Sequence, residues 1–312
     1  LIYLFIVTFK EKLTLPEEYS FPVISVGNIT SGGTGKTPLV IYLSEKFKLK
    51  NLDVVILSSA ASKSTKKRFR IEGDDELRML KEKRFKPMII PKQKKVLREL
   101  ERKRSKNKFV SIIDDGFQTY GIKKDIDILM IDAAMPFDNN FVIPAGLLRE
   151  PKFSAKRADI FIISHPYMVS RGFLDKLAYK LKKFNRPVFV MDYEIIGLKN
   201  GERRIPIDEI KGKPITSIAG IGNPLNFVYL LNKLGFNNIQ SFIYPDHFLY
   251  TEKDLKIILS EFLKNKTSYL ITTEKDFVKL REYTDNLSIP IFYLDIKSRI
   301  YNFYEEKDFD VY

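Results

Sequence analysis

The run Thr30-Ser31-Gly32-Gly33-Thr34-Gly35-Lys36-Thr37 carries the strongest chemical signal in the chain. It follows the apolar stretch Val23-Ile24-Ser25-Val26 and opens a helix-like one, the context that a phosphate-binding loop requires. Glycines let the main chain fold tightly enough for several N–H groups to face one phosphate. The helix amino terminus adds the positive end of its dipole. Lys36 can bridge a β- and a γ-phosphate, and the Thr37 hydroxyl can ligate Mg²⁺. Such a run usually begins with Gly. Here Thr30 stands in that place and the remainder is intact. The bland alternative is a Gly-rich turn between strand and helix that binds nothing, but the complete context argues against it.

A second signal is Phe109-Val110-Ser111-Ile112-Ile113-Asp114-Asp115-Gly116. An apolar strand ending in acid sets a carboxylate where it can hold Mg²⁺ or its water beside a phosphate loop. Adjacent carboxylates repel, so a cation there relieves a cost. An ordinary strand-end turn closed by Gly116 is the weaker explanation. A third acidic cluster, Asp74-Asp75-Glu76, sits at the start of a helix-like stretch. It reads either as a cap or as a metal ligand and a base for a hydroxyl proton. His247, taken alone, reads as a turn or cap residue. Arg149 and Glu150 read either as an ion pair with each other or, for Arg149, as a contact to phosphate, which suits a planar guanidinium. His165, beside Pro166 at a strand end, reads as structural.

The elements that must position these residues alternate, short apolar runs with helical periods, which predicts an α/β fold with a mostly parallel sheet. Strands are expected at 23–26, 54–57, 88–90, 109–113, 126–131 and 160–163. The helix 36–49 places Leu39, Leu43 and Phe47 on one face, with Pro38 tolerated in its first turn. A short helix is expected over 74–83, and a basic surface helix within 92–108. Around 185–206 the pattern becomes an extended linker or hairpin. A second α/β set follows, with strands at 215–219, 239–244, 269–272 and 291–294 and helices at 225–234, 255–263 and 277–281. Thr251 with Asp254, and Thr273 with Asp276, have N-cap spacing. The expected division is 1–165 and 166–312.

The 312 residues suit two domains, and 44% hydrophobic with 13% aromatic residues allows a sizeable core. With no Cys, disulfides and thiolate metal sites are excluded, and two His exclude a His-rich zinc centre. A net charge of +14 favours polyanions: nucleic acid, anionic membrane or a phosphorylated substrate. The apolar opening 1–9 is far shorter than a bilayer span and lacks a following cleavage site, so it does not read as a secretory signal. It fits the end of an amphipathic or partly embedded helix that continues upstream.

Taken together, Val26-Gly27-Asn28-Ile29 leading into the phosphate loop, and Asp114-Asp115-Gly116-Phe117-Gln118, resemble the tetraacyldisaccharide 4′-kinases. So do Ile143-Pro144-Ala145-Gly146-Leu147-Leu148-Arg149-Glu150-Pro151, Ala219-Gly220-Ile221-Gly222-Asn223-Pro224, Pro245-Asp246-His247 and Thr272-Thr273-Glu274-Lys275-Asp276. The resemblance spans about residues 22–280. It implies a P-loop NTPase-like domain, with an amino-terminal membrane-associating segment, and a smaller α/β domain joined to it by a β linker and completing the cleft. It also implies transfer of the γ-phosphoryl group of ATP, with Mg²⁺, to the 4′-hydroxyl of an acylated disaccharide 1-phosphate, giving lipid IVA. The enzyme would work on the anionic cytoplasmic face of the bacterial inner membrane, without nucleic acid. By the same resemblance Thr30 to Thr37 bind ATP, while Thr37, Glu76 and Asp115 surround the metal. Asp75 is the base with His247 as its partner, and Lys36 acts on the phosphates. Asp75-Glu76 rather than Asp74-Asp75 is aligned with the family pair, because Met79-Leu80 then fall at apolar positions.

This chain departs from the family pattern in three places. Ser58-Ser59-Ala60-Ala61-Ser62 stands where the family has Ser-Arg-Gly-Tyr, the loop before Gly73 is shorter, and Thr119 replaces a frequent His. The missing Arg and Tyr put a contact to substrate or nucleotide in doubt. Two rivals remain on the residues alone. One is a membrane- or partner-associated phosphate-loop ATPase switch, which needs no acceptor base. The other is a nucleic-acid binder, which would want aromatics interleaved with the basic run; that run has only Phe109 at its end.

Overall fold

Continuous apolar runs such as Val23–Gly27 and Ile126–Asp132 have no polar face to give to water, so they belong in the middle of a sheet covered on both sides. A computed structural model describes residues 9, 13–58, 87–89, 93–102, 108–201, 203–246, 248–284, 290–305 and 307–309. Its described residues form two compact units. One contains the chain up to Asp192 and again from Ser298, and the other contains Tyr193–Lys297. The expected division after residue 165 therefore differs from the observed one. Strands β6 and β7 pair in parallel, which keeps the first sheet growing beyond that point, and the chain end returns to the first unit.

In the first unit the strands are β1 (Val23–Gly27), β2 (Asp53–Ser58), β3 (Pro87–Ile89), β4 (Phe109–Asp114), β5 (Ile126–Asp132), β6 (Ile160–Ser164) and the start of β7 (Val188–Asn200). They are parallel in the order β3-β2-β4-β1-β5-β6-β7. Helix α1 (Lys36–Leu49) packs on β1, β2 and β4. It buries Val40 and Ile41 as well as the expected Leu39, Leu43 and Phe47, a wider face than a helix on the protein surface needs. The basic helix is α2 (Gln93–Arg102), with Leu97 buried against Phe21, Leu57 and Ile113. Helix α3 (Arg171–Lys182) lays Leu174, Leu177 and Leu181 on Leu129, Phe161 and Val190. Burial of this kind contributes roughly 1.5–3 kcal/mol for each large aliphatic or aromatic side chain.

The second unit repeats the logic. The far end of β7 forms a hairpin with β8 (Arg203–Ile205), as the 185–206 texture suggested. Strands β9 (Pro214–Ala219), β10 (Asn237–Ile243), β11 (Tyr269–Thr272) and the start of β12 (Ile291–Asn302) are parallel in the order β10-β9-β11-β12. Helices α4 (Pro224–Lys233), α5 (Glu252–Lys264) and α6 (Glu274–Thr284) lie between them in sequence. Thr251 and Asp254 form the expected capping box on α5. Strands β7 and β12 each run from one unit into the other, so the chain makes both crossings in extended conformation.

Candidate nucleotide site

Parallel pairing sets Val26 opposite Asp114, so the segments leaving β1 and β4 emerge side by side at the carboxyl edge of the sheet. From β1 comes the phosphate loop. From β4 comes Asp115, in the left-handed region with φ 58, a conformation Asp tolerates better than most residues. Lys36 Nζ lies 3.5 Å from Asp115 Oδ1 and donates to Asn28 Oδ1 at 3.3 Å. Arg149 Nη1 donates to both Asp115 oxygens, at 2.9 and 2.7 Å. Burial alone would push this carboxyl up. The Lys36 and Arg149 cations outweigh that and hold it below the usual carboxylate range.

The loop is built to receive an anion. Gly35 precedes α1 at φ 80, without a side-chain cap, and the first turn of the helix has no acidic residue. Its amide donors are thus left for a ligand. Gly32, at φ 124, would place a Cβ with nothing within 4 Å, so the loop is open there. Thr34 Oγ1 is buried with no partner among the described residues. Thr30, in the place usually held by Gly, makes an antiparallel bridge with Leu148 and is not a positive-φ residue. A side chain is therefore accommodated at that position. Thr37 is buried in the first turn; a hydroxyl and a carboxylate, such as those of Thr37 and Asp115, are hard oxygen donors of the kind Mg²⁺ takes.

Arg149 and Glu150 do not pair with each other, which corrects one of the two expectations for them. Glu150 is fully buried. Arg157 Nη2 donates to its Oε1 at 3.0 Å, and Arg157 Nη1 lies 2.8 Å from its Oε2. Gln118 Nε2 joins Glu150 Oε1 at 2.9 Å and the Asn28 carbonyl at 3.0 Å, and Asn28 Nδ2 donates to the Thr30 carbonyl at 2.7 Å. A chain of polar contacts therefore runs from Glu150 through Gln118 and Asn28 to Lys36. Sequence reasoning assigned Asn28, Gln118 and Arg157 no role. An amide side chain has no spacing signature, and only the packing of the three loops brings these groups together.

His165 is buried in the left-handed region, its Nδ1 3.2 Å from Asp132 Oδ1, in keeping with a structural residue. In the second unit Asp276, fully buried, accepts from Gly220 N at 2.8 Å, Thr273 Oγ1 at 2.7 Å and Tyr250 Oη at 3.1 Å, with Lys279 Nζ at 2.9 Å. Lys279 also donates to the Phe248 carbonyl, and Lys275 to Asp246. The segments 219–224 and 272–276 thus meet around one carboxylate, which tethers Phe248 and Tyr250. Asp74, Asp75, Glu76, His247 and the 59–62 segment lie outside the described residues.

The sequence profile of the tetraacyldisaccharide-1-P 4′-kinase family matches residues 1–310. The chain belongs to this family. A tetraacyldisaccharide 4′-kinase of Halothermothrix orenii is 34% identical over 293 residues, covering 86% of this chain and 76% of that one. One from Legionella pneumophila strain Lens is 32% identical, covering 90% and 81%. Among solved structures, LpxK from Aquifex aeolicus in complex with ATP aligns with TM-score 0.68 and 25% identity, over 96% of this chain and 92% of that one. The fold is thus the phosphate-loop kinase fold of these 4′-kinases, and the protein is an enzyme, an ATP-binding kinase of lipid A biosynthesis. Membership favours phosphoryl transfer over the switch reading.

Proposed function

We infer that this kinase transfers the γ-phosphoryl group of ATP to the 4′-hydroxyl of a tetraacyldisaccharide 1-phosphate, at the anionic cytoplasmic surface of the inner membrane. The single observation that supports it most is the open loop of Thr30 to Thr37, with Lys36 and Arg149 each in contact with Asp115 beside it. Phosphoryl transfer asks a protein for positioning and charge neutralisation more than for covalent chemistry. The amides before α1 would bind the nucleotide phosphates and Lys36 would follow the γ-phosphoryl oxygens. Because Lys36 and Arg149 both rest on Asp115, a nucleotide gives either cation a second anion to engage. Bound Mg²⁺, held by Thr37 and Asp115 with Glu76 nearby, would neutralise charge on the transferred group. Asp75 takes the proton from the sugar hydroxyl in this reading, and His247 partners it. No described helix is long and apolar enough to cross a membrane.

The test is incubation with labelled ATP, Mg²⁺ and detergent-dispersed tetraacyldisaccharide 1-phosphate. Label should appear in the lipid at the 4′-position. ATP hydrolysis with unlabelled lipid would overturn the reading in favour of the switch. Asp75→Ala should lose turnover far more than ATP affinity, since a base acts mainly in the transition state. If Asp74→Ala does so and Asp75→Ala does not, the base is Asp74.

A further inference from the structure

The loop between β5 and β6 braces the phosphate loop and at the same time presents large apolar side chains to solvent. The Leu147 carbonyl accepts from Ser31 N at 2.7 Å, and Arg149 N donates to the Ile29 carbonyl at 2.7 Å. Yet Phe141 is 62% exposed, Phe153 54% and Leu147 40%. Single exposed apolar residues are ordinary. Four within one ordered loop, with Met135 at 44%, are not explained by looseness. Asn139 holds the tip from both sides, donating to the Ala145 carbonyl at 2.9 Å and accepting from Phe141 N at 3.0 Å. Asp138 accepts from Leu147 N at 3.0 Å, and Leu148 N donates to the Phe141 carbonyl at 3.2 Å. Gly146 fits only because it has no Cβ, which would come within 2.4 Å of that same carbonyl. The backbone at 141 is thereby fixed beside 146–148.

The charges at this loop select the partner. Lys152 Nζ sits 4.6 Å from the Phe137 ring centroid and Lys156 Nζ 6.0 Å from that of Phe153, in a chain of net charge +14. Protein interfaces are depleted in Lys. Aromatic and aliphatic side chains flanked by Lys are what an anionic bilayer surface takes, rings at the acyl boundary and ammonium groups at the phosphates.

We propose that the β5–β6 loop is a membrane-docking element that inserts Phe141 and Leu147 into the interfacial zone of an anionic bilayer, with Lys152 and Lys156 on its headgroups. This rests on the reading that the acceptor is a membrane lipid, and it adds which surface meets the membrane. The loop that docks is the loop that hydrogen-bonds the phosphate loop, so docking holds the transfer site at the height of the lipid headgroups.

The 312 residues contain no Trp, so Phe141→Trp introduces a single tryptophan, which can be excited selectively over the 16 Tyr. With vesicles of phosphatidylethanolamine and phosphatidylglycerol its emission should shift to the blue and be quenched by brominated acyl chains. Tyr179→Trp, on an exposed position of α3, should do neither. Phe141→Ser should weaken vesicle partition about tenfold, as loss of one buried aromatic predicts, with nucleotide affinity in the absence of vesicles unchanged. Lys152→Gln with Lys156→Gln should weaken partition into these vesicles and leave partition into phosphatidylcholine vesicles as it was. A wild-type protein that binds the vesicles and phosphorylates lipid, with no shift at position 141, overturns this docking surface alone. A wild-type protein that does neither sinks the lipid-kinase reading beneath it. If Phe141→Ser does not fold, Phe141→Trp and the Lys pair decide.

Discussion

At the start of α1 the first turn holds no acid and no side-chain cap, and Gly35 leads into it in a left-handed conformation. At the start of α6 the residues are similar in kind, Thr273-Glu274-Lys275-Asp276, but they close on themselves. Thr273 Oγ1 accepts from Asp276 N at 3.1 Å and donates to its carboxylate, which also takes Gly220 N, Tyr250 Oη and Lys279. The Asp and Lys of one region are spent on internal satisfaction. In the other, Thr34 Oγ1 is buried without a described partner, and Lys36 shares Asp115 with Arg149. A helix terminus with its donors unclaimed is set up for a ligand, and one with its donors claimed is set up for stability.

If that contrast is right, substitution should separate activity from stability in the two regions. The largest effect is expected at the first. Lys36→Ala should lower kcat about 10³-fold, the scale of losing a preorganised charge at a developing anion, with the thermal midpoint near that of the wild type. Retained turnover would break the functional half of the comparison. At the second, Asp276→Ala removes the buried carboxylate that Gly220 N, Thr273, Tyr250 and Lys279 share, and should cost about 3 kcal/mol of stability in denaturant unfolding. A smaller loss follows from removing the cap: Thr273→Ala should cost about 1 kcal/mol by the same measurement. A neutral result at both would show that this carboxylate centre is not what stabilises the second unit.

The smallest effect is a pH dependence. Asp115 has a folded-state pKa below the ordinary carboxylate value, so the unfolded chain takes up that proton first as pH falls. Its contribution to stability is full above the ordinary value and disappears as pH drops through the lowered one. The difference in thermal midpoint between wild type and Asp115→Asn should therefore be constant near neutrality and shrink in acid. If Asp115→Asn is instead the more stable protein near neutrality and loses that advantage in acid, burial, not Lys36 and Arg149, dominates this carboxyl.

The phosphate loop was legible because its chemistry is local. Glycines, one Lys and one Thr at fixed spacing act through their own backbone, so eight consecutive residues specify the site. The strands were legible for a similar reason, since an unbroken apolar run can only be buried. The domain division was not. Residues 166–192 and 298–309 look like any other α/β segment in sequence, and which sheet they join is decided by pairing.

By itself, the order of amino acids determined the α/β class, the anion-binding turn and the candidate acids, because each depends on neighbours within a turn of helix or a single strand. Only the tertiary structure decided that Arg149 rests on Asp115 rather than on Glu150, and that Asn28 takes the Lys36 ammonium. The first pair is separated by 34 positions and is joined through the strand order β4-β1-β5, which sets three loops at one edge of the sheet. Charge partners follow proximity, and proximity between distant residues is a property of the packed fold.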